Sequence, residues 1–233
     1  MGMSVRIQSF IAKLSVEFCE IRHCDAILAA VKAAALFLIA LSGSAAAASV
    51  DVTVKDAKGA DIADAVVWAM PKGKAAPAVG KREASIEQKD KHFIPFVTVV
   101  QTGTFIRFPN HDVVRHHVYS FSPPKPFELK LYVGEPVAPV LFDKPGEVVL
   151  GCNIHDTMLA FVYIVDTPWF AKTGADGAAR IESVPAGDYD LMLWHYGLDA
   201  PVAAQPLTLR ADETAKAAFT ATLKPMLPRP GSK

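Results

Sequence analysis

Residues 151–158 read Gly-Cys-Asn-Ile-His-Asp-Thr-Met, and no other stretch limits this chain so tightly. Cys152, His155 and Met158 stand there at Cys-x2-His-x2-Met spacing, between a β-like run at 147–150 and an unbroken apolar run at 159–165. The segment is therefore a loop joining two strands, and it offers a thiolate, an imidazole and a thioether together. A site of two imidazoles, one thiolate and a distant thioether suits copper. It satisfies neither the soft, low-coordinate preference of Cu(I) nor the tetragonal preference of Cu(II), so little rearranges when an electron moves. The loop supplies three of the four donors, with Met158 as the weak axial one. The second imidazole must come from another segment, and residues 108–120 contain three candidates, His111, His116 and His117.

Other metals fit less well. Zinc rarely accepts a thioether, and iron–sulfur clusters need more thiolates than this chain retains after export. Export is expected from the N-terminus. Residues 33–41 are an apolar run behind Lys32, followed by Ser-Gly-Ser and four alanines. That matches a secretory signal with a small-residue cleavage site, and it is too short for the roughly 20 residues of a membrane span. Residues 1–48 are read as a signal peptide removed near Ala48, leaving no membrane span. The signal is long when counted from Met1, and a start near Val31 would make it compact. An uncleaved anchor is the alternative. Cys19 and Cys24 leave with the signal, so Cys152 becomes the only thiol and has no internal disulfide partner in an oxidising compartment. Metal ligation accounts for it.

Beyond residue 48 the pattern is β. Alternation of Val50, Val52 and Val54 marks a strand over 49–56, and an apolar strand follows at 65–70. Residues 71–91 shift to Pro, Gly, Ala and charge and read as a linker or exposed loop. Strand signals resume at 93–100, 104–108, 117–121, 127–132, 137–142, 147–150 and 159–165. Residues 173–177 read as a hairpin turn, and further strands are expected at 188–195, 202–209 and 217–223. No helical period longer than two turns appears, so the predicted fold is an all-β sandwich. With 24 basic and 24 acidic side chains the formal charge is zero, and no global field points to nucleic acid.

Phe108-x-Asn110-x-Asp112-x3-His116-x-Val118-Tyr-Ser120, followed by Pro145-Gly-x4-Gly-Cys152-x2-His155-x2-Met158, resembles the cupredoxin family. Within it, the pattern looks like the plastocyanin- and amicyanin-like proteins of the methylamine utilisation type. The resemblance covers residues 83–166 and implies a cupredoxin Greek-key β-sandwich holding one type 1 copper. In the family pattern the ligand follows the Asp by four residues, which selects His116, and adjacent His117 should then face the opposite side of its strand. Asn110 and Asp112 are expected around the ligands. The family commonly has Asn after this His, tying the two ligand loops together. Here the position is His117, and His117 or Asn153 is expected to supply a substitute hydrogen bond. Asp156 stands where relatives often carry Pro. His111 and His117 read as surface or supporting imidazoles.

Residues 49–70, with an Asp-x2-Gly turn, and the Asp176-Gly-x3-Ile-x2-Val-Pro-Ala-Gly-Asp-Tyr189 segment look like a carboxypeptidase-regulatory-like (transthyretin-like) β-sandwich, smaller than the first. The expected organisation is this module split over 49–82 and 167–224, with the cupredoxin unit at 83–166 inserted and a flexible tail at 225–233. The alternative is two tandem units. His195 belongs to the flanking module, where a structural role beside Trp194 is favoured over ligation.

The resemblance implies a periplasmic carrier of single electrons that meets a dehydrogenase or cytochrome transiently. No enzymatic role is expected: multicopper oxidases and copper nitrite reductases, as families, use extra His ligands, whereas the seven histidines here include no His-x-His pair and Cys152 is flanked by Gly and Asn. Copper binding or delivery without electron-transfer turnover is the second reading. A β-sandwich adhesion module with a vestigial metal loop is the third.

Overall fold

The computed structural model describes residues 47–77, 80–136 and 138–225. The predicted signal lies almost wholly outside the described residues, as do residues 226–233 of the predicted tail. Contacts divide the chain at residues 45 and 46, and residues 46–233 form one unit. Among the described residues there is no helix.

The chain enters with β1 (Ala48–Asp56) and β2 (Val66–Pro71). Ten strands then run in order: β3 (Arg82–Ser85), β4 (Glu87–Lys89), β5 (His92–Ile94), β6 (Val97–Gln101), β7 (Thr104–Arg107), β8 (His116–Ser120), β9 (Phe127–Tyr132), β10 (Val140–Phe142), β11 (Gly146–Gly151) and β12 (Leu159–Val165). The last five are β13 (Phe170–Lys172), β14 (Ala178–Val184), β15 (Gly187–Trp194), β16 (Gln205–Leu209) and β17 (Thr214–Ala221).

The first two strands pair with the last five. One sheet is ordered β14-β1-β17, and the other β13-β2-β15-β16. Between them lies a core that includes Val50, Val52, Val54, Val67, Ala69, Ile181, Leu191 and Phe219. The remaining strands form a five-stranded sheet, β6-β12-β11-β8-β9, a three-stranded sheet, β10-β7-β3, and the β4–β5 hairpin. Their core includes Ile86, Phe93, Ile106, Phe108, Phe142, Val148, Leu150 and Val162, and it contains Cys152 and Met158.

A third apolar layer explains two runs that do not alternate. Val66, Trp68 and Trp194 turn away from their own sandwich and meet Val97, Phe161, Tyr163 and Val165 of the five-stranded sheet. Strands β2 and β12 are thus apolar on both faces, as a strand buried on both sides must be. The Tyr163 and Trp194 rings stack at 4.5 Å with 20° between planes, a pair worth about 0.5–1.5 kcal/mol beyond its buried area.

Two expectations need correction, and one strand lay hidden in the sequence. Residues 71–91 are not all linker: Arg82–Ser85 and Glu87–Lys89 are strands, and Ile86 and Gln88 are fully buried. Charged residues alternating outward around Ile86 and Gln88 hid the strand beneath a polar composition. Residues 173–177 do not close a hairpin ladder, because β13 pairs with β2 while β14 pairs with β1. The turn instead carries the chain from one sheet to the facing one. Gly177 is required there, with φ +66° and a hypothetical Cβ only 2.6 Å from the Val54 carbonyl. Finally, Ala178–Val184 is a strand that the polar Arg180 and Glu182 had masked.

Candidate metal centre

His116 opens β8, directly opposite Tyr132 of β9. Cys152 follows the last residue of β11, and the loop it begins is closed where Gly151 pairs with Leu159 of β12. Within that loop the Met158 N–H donates to the His155 carbonyl at 2.9 Å, a tight turn that returns Met158 to the core. His116, Cys152 and His155 converge: one donor atom from each lies within 4.8 Å of the others. The two imidazole centroids are 5.0 Å apart, at 66°.

Burial grades the site. His116, Cys152 and Met158 are buried at 0%, 5% and 2% exposure, whereas His155 is half-buried, so the site reaches solvent along that ring. The hydrogen-bond arrangement shows which atoms face inward. His116 Nε2 donates to Asp112 Oδ2 at 2.7 Å. Its Nδ1 is buried with no partner, and so is Nδ1 of His155. Buried polar atoms are normally satisfied. Two orphaned imidazole nitrogens beside a buried free thiol therefore fit a soft metal ion held by two nitrogens and one sulfur, and Met158 belongs to the same buried core as Cys152.

Asp112 is the anchor of His116. Its carboxylate also accepts the Asp90 N–H at 2.7 Å and the Lys91 N–H at 2.9 Å. Burial works against its ionisation. The Lys91 N–H, the His116 hydrogen bond, the Asp90 N–H and the His116 charge together prevail and hold its pKa below the ordinary value. Asn110 shapes the loop that brings Asp112 in. Its Oδ1 accepts the Asp112 N–H at 2.9 Å, and its Nδ2 donates to the carbonyls of Val114 and Tyr132, both at 2.9 Å.

The tie expected from His117 or Asn153 is not made by either. His117 is buried on the other face of β8, where Nε2 bonds Glu128 Oε1 at 2.8 Å and the ring meets Tyr119. Asn153 is exposed at the loop surface. The ligand segments meet instead through Gly151 and Tyr119, the one paired position between β11 and β8. A Cβ at Gly151 would lie 2.9 Å from the Tyr119 ring, so a side chain there would require that ring to shift. His111 is exposed, 3.8 Å from Glu87. His195 is buried, accepts the Gly197 N–H on Nδ1 at 3.1 Å and packs against Tyr196, far in sequence and sheet from the ligand loops.

Tyr132 and Gln88 carry no signal in the sequence yet meet beside the site. The Tyr132 hydroxyl donates to the Phe108 carbonyl at 2.6 Å and accepts from the Gln88 side chain at 2.5 Å. Burial pushes the phenol up to about 12; the Gln88 bond pulls the other way, and negative charge on Cys152 adds to the rise. No local motif announces this group, because its members lie on β4, β9 and the strand end before Asn110.

No protein-family model matches the chain, and no curated relative does. Among solved structures, similarity is found to cupredoxins. A copper-containing nitrite reductase from Thermus scotoductus is 25% identical over 41% of this chain, with a TM-score of 0.34. The match spans only 25% of that reductase. Pseudoazurin from Methylobacterium extorquens is 26% identical over 36% of this chain and 76% of its own, with a TM-score of 0.31. A purple cupredoxin from Nitrosopumilus maritimus is 18% identical over 35% of this chain and 99% of its own, at 0.31. In each case the likeness is one of fold over part of the chain.

Proposed function

We propose that this chain is a cupredoxin-type blue copper protein that carries single electrons in the periplasm. The observation that supports this most directly is the convergence of Cys152 with two histidines whose Nδ1 atoms are buried and unpartnered. His116 and His155 would hold copper through Nδ1, Cys152 through its thiolate and Met158 as a weak axial donor. Bound copper would supply a one-electron couple. The protein supplies the rest. Gly146–Gly151 and Leu159–Val165 are locked in register and fix both ends of the ligand loop. Asp112 keeps the His116 proton on Nε2, leaving Nδ1 free to donate electrons. The apolar core around Cys152 and Met158 excludes water from the buried side.

His155 is the ligand nearest solvent, so its edge is the natural place for electrons to enter and leave. Exposed Ile154 stands beside it, at 48% exposure. A dehydrogenase or cytochrome meeting this face would form a transient contact, below about 1,200 Å2 of buried surface. The sequence features that support periplasmic export are the apolar run at 33–41 and the alanines after it. A carrier rather than an oxidase is supported by the absence of His-x-His pairs in the sequence. We further infer that residues 83–166 are inserted into a sandwich module formed by 49–82 and 167–224. The pairing of β1 with β14 and β17, and of β2 with β13 and β15, supports this reading.

Addition of Cu(II) to the protein, followed by visible and paramagnetic-resonance spectroscopy, tests the assignment. An intense thiolate-to-copper band that disappears in Cys152→Ala is expected. A colourless copper complex of the parent protein overturns it.

A further inference from the structure

The β4–β5 hairpin is short, and its tip reaches the carboxylate that holds His116. Both tip residues, Asp90 and Lys91, occupy the left-handed region, at φ +53° and +60°. Two consecutive positive φ values make the kind of tight turn that joins paired strands, in which glycine is the favoured second residue. A lysine in that place is costly for an L-residue, so something must hold the turn in this shape. The partners are visible. The N–H groups of Asp90 and Lys91 donate to Oδ1 and Oδ2 of Asp112, at 2.7 and 2.9 Å. Oδ2 also accepts a hydrogen bond from the His116 Nε2–H at 2.7 Å.

The hairpin is itself clamped to the segment that carries Asp112. Ile86 N–H donates to the Arg107 carbonyl at 2.9 Å, Gln88 N–H to the Pro109 carbonyl at 2.8 Å, and His111 N–H to the Gln88 carbonyl at 2.8 Å. Buried Gln88 and Phe93 face each other across the hairpin and anchor its root. The tip therefore has a fixed position relative to Asp112. Its two backbone donors hold both carboxylate oxygens, which leaves that carboxylate one orientation from which to accept the His116 proton.

We propose that the Asp90–Lys91 tip is a positioning element for the copper ligand His116, acting through Asp112. It sets the rotation of the Asp112 carboxylate, and the carboxylate in turn sets the tautomer and ring orientation of His116. The copper side of this inference rests on the reading of the site given above. The tautomer side does not, because it concerns the metal-free protein. The hairpin acts only through its main-chain N–H groups, so the side chains of Asp90 and Lys91 are free to vary while the turn geometry is not.

Three variants of the full chain test it. Lys91→Gly keeps both N–H groups and suits a positive φ. Asp90→Pro with Lys91→Gly removes one donor and imposes a turn with φ near −65° at its first position. Phe93→Leu loosens the hairpin root without touching the tip. Nitrogen-15 spectra of the copper-free proteins report the ring nitrogens of His116. The parent, Lys91→Gly and Phe93→Leu are each expected to show a single Nε2–H tautomer, with Phe93→Leu lowering the melting temperature. The double variant is expected to show a mixture, and after loading its copper should dissociate about ten-fold faster or more, as when an outer partner of a ligand is lost. A double variant with the parent's tautomer and copper off-rate overturns the proposal, as does a tautomer shift of equal size in Phe93→Leu. A parent that never turns blue would instead overturn the copper assignment, leaving the tautomer comparison to decide the hairpin's role.

Discussion

The indole N–H of Trp194 donates to the Glu147 carboxylate at 3.0 Å, joining β15 of the four-stranded sheet to β11, the strand that leads into Cys152. Trp194 also stacks on Tyr163. The ligand strand is thus gripped from outside its own sandwich. Trp194→Ala is expected to cost about 3–5 kcal/mol, the usual range for emptying a buried tryptophan site. Trp194→Phe should cost less. Denaturant unfolding followed by circular dichroism measures both, and near-equal losses would show that the indole hydrogen bond, rather than ring packing, carries the effect.

Asp112 ties acid stability to the ligand site. Its folded pKa lies below the ordinary 3.8. The ionised carboxylate therefore stabilises the fold at pH values above the unfolded pKa, and that contribution is lost as pH falls through the folded one. Asp112→Asn should lower stability at neutral pH and flatten its decline below about pH 4. Loss of this partner should also weaken copper binding about 10- to 100-fold. Urea unfolding at several pH values and copper competition titrations check the two parts.

Tyr132 sets an alkaline limit. Its pKa in the fold is about 12, against 10.0 for an ordinary phenol. Above pH 10 the unfolded chain releases this proton while the folded chain keeps it, so stability falls as pH rises from 10 toward 12. Tyr132→Phe removes that contribution but leaves Gln88 without its hydroxyl partner. The variant should be less stable at pH 7 and decline less steeply above pH 10. Half-buried Tyr163 and buried Tyr189, whose pKa values are also raised by desolvation, keep part of the slope.

Asp156 is exposed in the ligand loop, next to His155. With copper bound as proposed, a carboxylate there would favour the more positive Cu(II) state. Asp156→Asn should therefore raise the reduction potential by tens of millivolts, on the order of 1 kcal/mol for one electron through partly screened charge. Protein-film voltammetry at low and high salt checks both the sign and the screening; an unchanged potential would sink the idea.

Gly177→Ala tests the turn between facing sheets. The positive φ and the close Val54 carbonyl leave no room for a methyl group. A loss of more than about 1 kcal/mol is expected, the strain of a left-handed residue plus the displaced backbone. Thermal unfolding against Gly174→Ala, where a Cβ would meet only the end of the Asp176 side chain at 2.9 Å, isolates the backbone contribution.

Local pattern carried much of this molecule. Alternation in residues 49–56 located β1, and the Cys-x2-His-x2-Met spacing located the loop between β11 and β12, because both signals lie within a few neighbouring residues. Pattern failed where burial came from distant strands. Glu87, Gln88 and Lys89 look like solvated linker, yet Gln88 is wholly buried because residues 108–110 and Tyr132 cover it. The Asp90–Lys91 turn gave no sign of its purpose, since its partner carboxylate lies 21 or 22 positions away.

An all-β chain and the donor chemistry of its ligand loop were legible in residue order alone, because side-chain donors and a period of two are written residue by residue. Tertiary structure decided which distant groups face one another: His116 with Cys152 and His155, Tyr132 with Gln88, and Trp194 with Tyr163 and Glu147. Those meetings depend on strand register and sheet stacking, which are long-range consequences of how the whole chain buries its apolar faces.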